Sequence, residues 1–455
     1  MNALAALSPI DGRYQIICAP LSDYFSERAY FQYRLKVEVE YLLALEAATG
    51  TPADESVARR LRSLYENFSD DDCRKIKETE ETTKHDVKAL EYHLRTALLA
   101  ADGGDEESRR RMAAHVHFGL TSQDANNTAL TLMFRDGLQN VWRPALVQLL
   151  ATLEELSRRW VDRPMMARTH GQPATPVTVG KELKVFWDRL LSQLAVLDAS
   201  PHCAKFGGAT GNFNAHVIAF PEIRWDKFAD EFLRQTFGLV RLQTTTQIDP
   251  YDRFSEKFDA IKRIHVVLID LCRDLWQYIA FDYFKLKIQA GEVGSSTMPH
   301  KVNPIDFETS EGNLGVANAL LTHMSEKLPI SRLQRDLTDS TVMRNVGVPL
   351  AHSLVALKYI VSGLKKLEIH AEKIENDLSE HAELLTEAVQ TVMRAHGDDQ
   401  AYEKLKAFSR TGGKLTLDEL RAFVENLSLP AEVKRRLLSL TPREYVGLAP
   451  EAWKA

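Results

Sequence analysis

Apolar residues recur every three to four positions along most of the chain, which is the spacing of helices with one buried face. The first patterns run from Ser22 to Ala48, from Asp54 to Phe68 and from Asp70 to Glu81. Further patterns run from Thr128 to Val161, Val179 to Leu197, Tyr251 to Ala290, Glu311 to Leu328, Leu350 to Lys366 and Ile369 to His396. No stretch has the alternation of a half-buried strand, and residues 1–20 read as an irregular arm. The pattern therefore predicts an all-α protein.

The segment from Tyr251 to Ala290 contains neither Gly nor Pro. As one helix it would be about 60 Å long, which is typical of an elongated bundle. A polar break at Ala101–Ser108 indicates a domain boundary near residue 110. We expect a three-domain chain, with an N-terminal helical domain (1–111), a central long-helix bundle (112–364) and a C-terminal helical domain (365–455).

The composition is that of a globular protein, with 44% hydrophobic and 26% charged residues among 455. A net charge of −6 argues against a general nucleic-acid binder, but a local basic pocket for an anionic small molecule stays open. The four cysteines are far apart in the sequence, which favours a reduced, cytoplasmic location. We expect no signal peptide, because Met1 to Pro9 lacks a basic start, and no membrane span, because no apolar run approaches the roughly 20 residues that cross a bilayer.

Three polar loops interrupt the helical patterns. The segment from Gly291 to Glu308 combines glycines, prolines and hydroxyl groups with the cation of Lys301. Such a loop suits closure over an anionic substrate, although a plain surface connection fits the composition equally well. Thr121-Ser122 begins a helix whose N–H groups could hold a carboxylate or phosphate. Arg168–Pro176 repeats the same mixture of polar residues, Gly and Pro.

A fourth polar feature is the pair His85-Asp86. Asp86 is an expected helix cap, and His85 is a donor whose charge can change near neutral pH. His115 and His117 lie two apart and would point to different sides of a helix, so they make a weak metal pair.

These loops resemble those of the fumarase/aspartase superfamily, and within it the adenylosuccinate lyase family. The main marker is Gly294-Ser-Ser-Thr-Met-Pro-His-Lys-Val-Asn-Pro304. The others are Ser8-Pro-Ile-Asp-Gly-Arg-Tyr14, Lys84-His-Asp86, Thr121-Ser-Gln-Asp124, Arg168-Thr-His-Gly-Gln-Pro-Ala-Thr-Pro176 and Arg335-Asp-Leu-Thr-Asp-Ser340. Six such motifs in the right order cover nearly the whole chain.

The resemblance implies a three-domain, all-α enzyme of purine nucleotide biosynthesis. It would eliminate fumarate from adenylosuccinate, giving AMP, and from succinylaminoimidazole carboxamide ribotide, giving the carboxamide. It also implies a homotetramer with active sites shared between subunits. We expect no metal or cofactor, because an acid, a base and hydrogen-bond donors account for the elimination, and no nucleic-acid or membrane partner.

The resemblance also implies residue roles. Ser295 matches the family's base and His170 its acid, with Glu308 orienting the histidine and Lys301 stabilising charge. The matching substrate-binding positions are Arg13, Tyr14, Lys84, His85, Asp86, His117, Thr121, Ser122, Gln247, Ser296, Asn303, Thr309, Arg335, Ser340 and Arg344. Thr309 departs from residues that relatives carry there, so its role stays open.

The sequence leaves three competing functions open. Another lyase of the superfamily could act on argininosuccinate, aspartate or fumarate. A helical scaffold could have lost catalysis. A metal-dependent enzyme could use His85, His115 and His117. Several of the named residues also have ordinary structural roles available, such as a helix cap for Glu308 or surface ion pairs for Arg335 and Arg344.

Overall fold

The computed structural model describes residues 3–100, 105–287, 298, 301–409 and 415–454. Its first eleven helices are α1 Gln15–Phe25, α2 Glu27–Ala48, α3 Glu55–Glu66, α4 Asp70–Thr83, α5 Asp86–Leu99, α6 Glu106–His115, α7 Ser122–Gly137, α8 Arg143–Arg159, α9 Val179–Ala199, α10 Asn214–Ala219 and α11 Trp225–Phe237. The remaining helices are α12 Asp252–Ala280, α13 Ile305–Lys327, α14 Thr338–Met343, α15 Gly347–Lys366, α16 Ala371–Ser379, α17 Thr386–Ala395, α18 Ala401–Ser409, α19 Leu417–Glu425 and α20 Ala431–Ser439. The all-α class predicted from the hydrophobic pattern is confirmed.

The prediction that no segment forms a sheet is wrong in detail. The described residues contain three two-stranded sheets, whose strands are β1 Pro164–Thr169, β2 Gln172–Thr178, β3 Cys203–Ala204, β4 Val240–Arg241, β5 Phe284–Leu286 and β6 Leu367–Ile369. The β1–β2 and β5–β6 pairs are antiparallel and the β3–β4 pair is parallel. Only β1 and β2 are longer than three residues, so the sheets join helices and add little to the core.

Four predicted boundaries also need correction. The pattern from Tyr251 does not continue as one helix to Ala290, because α12 ends at Ala280; residues 288–290 lie outside the described residues. At 29 residues α12 is about 43 Å long. The helix expected from Ile369 to His396 is divided into β6, α16, the 3₁₀ turn 382–385 and α17. A π-helical turn, Leu138–Trp142, separates α7 from α8, and α1 begins inside the arm expected to be irregular.

Chain contacts define two units. Unit 1 contains Met1–Leu146, Gln193–His265 and Gly312–Leu357; unit 2 contains Val147–Ser192, Val266–Glu311 and Lys358–Ala455. Unit 1 has an apolar core that includes Phe31, Leu35, Leu90 and Leu94, whose side chains are fully buried. In unit 2, a separate apolar cluster joins α17 through α20. The three-domain division stays a prediction.

Helix α2 has buried residues on all of its sides, and some of them are charged. An isolated buried charge is costly, so each needs a partner. The pairs are Arg34 with Asp86, Glu38 with His117, Glu40 with Arg62, and Glu46 with Arg111 and His115. The partners lie on α3, α5, α6 and the loop before α7, so the charges of α2 fix the segments that carry several predicted site residues.

Candidate active site

The predicted site residues fall in both units, and each group is described by itself. In unit 1, Asp86 is the first residue of α5. Its Oδ2 contacts Arg34 Nη2 at 2.9 Å and Arg344 Nη2 at 2.8 Å, and its Oδ1 accepts the Val87 N–H. Arg34 is 2% exposed, whereas Arg344 is 45% exposed. Two guanidiniums and one carboxylate leave a net positive charge, and the exposed part of Arg344 is available to an anion.

The electrostatics of Asp86 follow from these contacts. Burial favours the neutral acid, but the charge of Arg34, the Val87 N–H and the charge of Arg344 outweigh it and lower the pKa of Asp86. The ring of Tyr30 lies beneath Arg34, whose guanidinium carbon is 3.4 Å from the ring centre. Asp86 is therefore a fixed anion that holds Arg344 in place.

Lys84 and His85 form the turn between α4 and α5. Lys84 has φ +53° and ends α4, while His85 begins α5. Asp86 is the cap expected from the sequence, but the His85 Nδ1 accepts the Lys88 N–H at 3.1 Å and caps the helix instead. In a neutral ring this hydrogen bond places the proton on Nε2, which makes the exposed side of His85 a donor.

His117 lies on the loop before α7 with φ +58°. Its Nδ1 is 2.6 Å from Glu38 Oε1, and its Nε2 is 3.8 Å from Glu91 Oε1. Burial alone would lower the pKa of His117, but the charges of Glu38 and Glu91 raise it to about 9. His117 is therefore an imidazolium near neutral pH, which suits an anion contact better than a proton carrier. His115 instead contacts Glu46, at 2.6 Å.

The start of α7 differs from the prediction of free N–H groups. The Thr121 N–H donates to Asp124 Oδ2 at 2.8 Å, so the helix supplies its own anion. Asp124 is fully buried and also accepts Lys205 Nζ at 2.7 Å and the Gly207 N–H at 2.9 Å. Thr121 and Ser122 themselves are partly exposed. The arrangement joins the glycine-rich turn at 207–208 to the α7 terminus.

A second arginine of unit 1 contacts two further predicted residues. Arg335 Nη1 donates to Gln247 Oε1 at 3.1 Å, and its Nη2 lies 3.5 Å from Ser340 Oγ. Gln247 Nε2 donates to the Ala209 carbonyl. The structure thus brings Gln247, Arg335 and Ser340 together.

The N-terminal turn before α1 carries the remaining predicted residues of unit 1. Arg13 is exposed, and its guanidinium carbon is 6.0 Å from the centre of the Tyr14 ring.

In unit 2, His170 lies at the tip of the β1–β2 hairpin. Thr169 pairs with Gln172, so His170 and Gly171 form a two-residue turn in which both have positive φ, +54° and +76°. The pattern of the sequence predicts only a loop for this segment. His170 is exposed, and its imidazole makes no hydrogen bond or ion pair to another residue of the described chain. It is held by the backbone of a tight turn and presents its ring outward.

The segment that opens α13 carries the other predicted residues. Ser295 and Ser296 lie outside the described residues. The Lys301 N–H donates to the Met298 carbonyl at 3.0 Å, and the Lys301 side chain is exposed. Asn303 and Thr309 are partly buried. Glu308, in the first turn of α13, accepts a hydrogen bond from Trp276 Nε1 at 3.0 Å; within the described residues its carboxylate makes no contact with His170.

Sequence reasoning missed three residues that support this site: Tyr30, Arg34 and Glu38. Arg34 and Glu38 lie one helical turn apart within the apolar pattern of α2. A charge among residues that pack inward is the signal that could have identified them, because it requires a buried partner.

A family model that matches more than half of the chain places it in a lyase class of all-α enzymes. Residues 12–318 match the family model described as Lyase, and residues 331–446 match that of the Adenylosuccinate lyase C-terminal region. The chain is 47% identical to the adenylosuccinate lyase of Dictyostelium discoideum over 99% of this chain and 98% of that relative. It is 42% identical to that of Escherichia coli strain K12, again over 99% and 98%. The chain belongs to the adenylosuccinate lyase family, as the sequence motifs indicated.

Two solved structures share the fold. The 3-carboxy-cis,cis-muconate lactonizing enzyme from Pseudomonas putida has a TM-score of 0.73 and 24% identity, covering 95% of each chain. The fumarate lyase from Mesorhizobium sp. BNC1 has a TM-score of 0.75 and 21% identity, covering 95% of this chain and 96% of its own. At this identity the likeness concerns the fold alone.

Among the described residues, the stretch Thr338–Lys366, which contains α14 and α15, has the length and apolar content of a membrane span. However, 72% of its apolar window is buried inside the protein, as in the core helices of globular proteins.

Proposed function

We propose that the chain catalyses the elimination of fumarate from adenylosuccinate, giving AMP, and from succinylaminoimidazole carboxamide ribotide, giving the carboxamide. The observation that carries this proposal is the match to adenylosuccinate lyases from end to end of the chain. The arginines and imidazolium of unit 1 fit a substrate with a phosphate and two carboxylates, despite the net charge of −6. We assign the enzyme to purine nucleotide biosynthesis and to the cytoplasm.

The reaction needs a base, a stabiliser of developing charge and an acid. We assign the base to Ser295, which removes a proton from the succinyl carbon next to a carboxylate. Lys301 and Asn303 stabilise the negative charge that this carboxylate accepts. The carbon–nitrogen bond then breaks, fumarate forms, and His170 gives its proton to the departing nitrogen. Water exclusion is needed, because a serine hydroxyl is a weak base unless its alkoxide is stabilised.

His170 supports the acid assignment by its setting. Its ring lies outward on a turn with a defined backbone and has no partner among the described residues of its own chain. Such a ring is free to meet a substrate or another subunit. We therefore propose a homotetramer in which each site is completed by neighbouring subunits, and in which Glu308 orients His170 across such an interface.

The unit 1 clusters are assigned to substrate recognition. Arg344 and His117 present positive charge, and His85 presents an N–H donor, so these groups suit the phosphate and carboxylates. The other proposed contacts are Arg13, Tyr14, Lys84, Asp86, Thr121, Ser122, Gln247, Ser296, Thr309, Arg335 and Ser340.

The direct test is a spectrophotometric assay with adenylosuccinate, in which AMP and fumarate form in equal amounts. We expect Ser295→Ala and His170→Ala each to lower kcat by about 10²–10⁴-fold or more with the fold intact. His396→Ala, at the exposed end of α17, is the matched control and should behave as wild type. Fumarate release from argininosuccinate or aspartate but not from adenylosuccinate would refute the substrate assignment.

Two further measurements distinguish this lyase from a helical scaffold and from a metal-dependent enzyme. Unchanged turnover in both variants would favour a scaffold without the proposed chemistry, and loss of activity on chelation would favour a metal-dependent enzyme. Sedimentation should give a tetramer. Mixing inactive Ser295→Ala and His170→Ala chains should restore activity if the two residues come from different subunits, and no restoration would contradict the shared site.

A further inference from the structure

The turn that carries His170 needs support from outside its own backbone. His170 has φ +54°, a conformation that costs a residue with a Cβ roughly 1 kcal/mol or more. Gly171, the other residue of the turn, has no atom within 4 Å of the position a Cβ would occupy. The tip is therefore not held by packing, yet a proton donor must be placed to within a fraction of an ångström.

Arg168 supplies that support from the strand just before the turn. Its Nη1 donates to the Gly171 carbonyl at 3.3 Å, so the side chain reaches from β1 to the second residue of the turn. The same guanidinium lies over the ring of Phe281, with 5.0 Å between the guanidinium carbon and the ring centre. A planar fork can make both contacts at once, whereas a lysine ammonium cannot stack in this way.

Arg168 also lies near a rigid group. Burial raises the pKa of Tyr283, which is fully buried, and the nearby charge of Arg168 partly counters that rise. The Tyr283 hydroxyl donates to Asp377 Oδ2 at 3.0 Å, and Lys373 Nζ contacts Asp377 Oδ1 at 2.7 Å. Tyr283 immediately precedes β5, which is paired with β6. Arg168 thus lies between the exposed tip, to which it is hydrogen-bonded, and a buried tyrosine that is itself held by Asp377.

The position of Arg168 is not that of an ordinary surface cation. Its Nε is buried and makes no hydrogen bond within the described residues. This desolvation has a cost, and the hydrogen bond to the Gly171 carbonyl and the stacking on the Phe281 ring offset it. The position of the Arg168 guanidinium is therefore set by the Gly171 carbonyl and the Phe281 ring.

We propose that Arg168 is a positioning residue for the reaction, fixing the His170 turn so that the imidazole meets the departing nitrogen. The inference rests on the proposed function, in which His170 is the acid. Arg168 acts through His170 and makes no contact with the substrate. Its loss should therefore affect the chemical step rather than binding.

The test is a double-mutant cycle of Arg168→Met and His170→Ala, measured as kcat and KM with adenylosuccinate. We expect Arg168→Met to lower kcat about 10- to 100-fold, the range for a misplaced catalytic group, with KM changed less than about threefold. In the His170→Ala background the same substitution should have no further effect on kcat, because the group it positions is absent. The matched control is Arg163→Met. Arg163 is an exposed arginine just before β1, and its substitution should leave kcat and KM unchanged.

Tyr283→Phe provides a second variant that keeps the buried ring near Arg168 and removes only the hydroxyl that donates to Asp377. It should lower kcat by a smaller factor and again have no effect without His170, so the inference stays testable if Arg168→Met folds poorly. Arg168→Lys, which keeps one donor but not the fork, should fall between wild type and Arg168→Met.

Three results would overturn the inference: wild-type kcat in Arg168→Met, an equal fall in kcat with and without His170, or an effect confined to KM. Full turnover in His170→Ala alone would instead refute the acid assignment, and the inference with it. That outcome is distinct from an inactive His170→Ala accompanied by an active Arg168→Met, which would leave the proposed function standing.

Discussion

Glu38→Gln tests whether the buried carboxylate of α2 stabilises the protein through His117. The pKa of His117 rises from 6.5 to about 9, and at about 1.4 kcal/mol per pH unit this corresponds to roughly 3 kcal/mol. The raised pKa means that this stability is fully present below pH 6.5 and is lost as the pH rises through about 9. Because Glu91 remains 3.8 Å from the ring, we expect the variant to lose about 2–3 kcal/mol at pH 6.

The assay is urea denaturation at fixed protein concentration, at a series of pH values from 6 to 10. The difference in unfolding free energy between wild type and Glu38→Gln should shrink as the pH rises from about 6.5 to 9, above which His117 is neutral in both proteins. Glu40→Gln is the control on the same helix. Glu40 is paired with Arg62 at 2.8 and 2.9 Å, and a guanidinium does not titrate in this range. The loss of unfolding free energy in Glu40→Gln should therefore not depend on pH.

A cost of Glu38→Gln that stays constant from pH 6 to pH 10 would refute the reasoning. It would mean that His117 is neutral throughout, and that Glu38 acts only as a hydrogen-bond acceptor.

Two further substitutions probe the supports of the site. Asp86→Asn should lower the unfolding free energy by about 3–5 kcal/mol, because it leaves Arg34 buried without its counter-charge; urea denaturation with Asp70→Asn as the surface control measures it. Gly119→Ala should cost about 2–4 kcal/mol in the same measurement, because φ is +66° and the new Cβ would lie 2.6 Å from the His216 ring.

The controls separate local causes from general ones. Asp70 pairs with Arg28 at 3.6 Å on the surface, so its loss should cost no more than about 1 kcal/mol. Gly50 has φ +80° and open space around it, so Gly50→Ala should show the backbone cost alone, about 1 kcal/mol. If Gly119→Ala costs no more than Gly50→Ala, the contact with His216 is unimportant. An Asp86→Asn cost as small as that of Asp70→Asn would contradict the buried pair.

The helices of this protein could be predicted because their information is local. In α3, the Asp54 side chain accepts the Ser56 N–H and begins the helix, and the apolar spacing that follows needs no distant partner. The end of α12 was missed for an equally local reason. Asp282 has φ +64°, and the Tyr283 N–H bonds the Tyr278 carbonyl, so an Asp ends the helix where a Gly is the usual signal.

The candidate site likewise has features that the local sequence predicts and features that it does not. The motifs around Ser295 and His170 identify the family because they are contiguous in the sequence. The hairpin that carries His170 could not be predicted from its pattern. Its strands contain prolines and polar residues and no alternation of apolar and polar positions. The links from Arg168 to Tyr283 and from Tyr283 to Asp377 join residues about a hundred positions apart, which no local pattern reveals.

By itself the sequence determined the helical class, most helix positions and the family, because periodicity, caps and contiguous motifs are properties of neighbouring residues. Only the tertiary structure decided which charges are paired and buried and which stay exposed. Arg34 and Arg344 share Asp86, and Glu38 keeps His117 charged, through contacts between residues 52 to 258 positions apart. The charge of a buried group depends on its solvation and its nearest counter-charge, and both are fixed only when distant segments pack together.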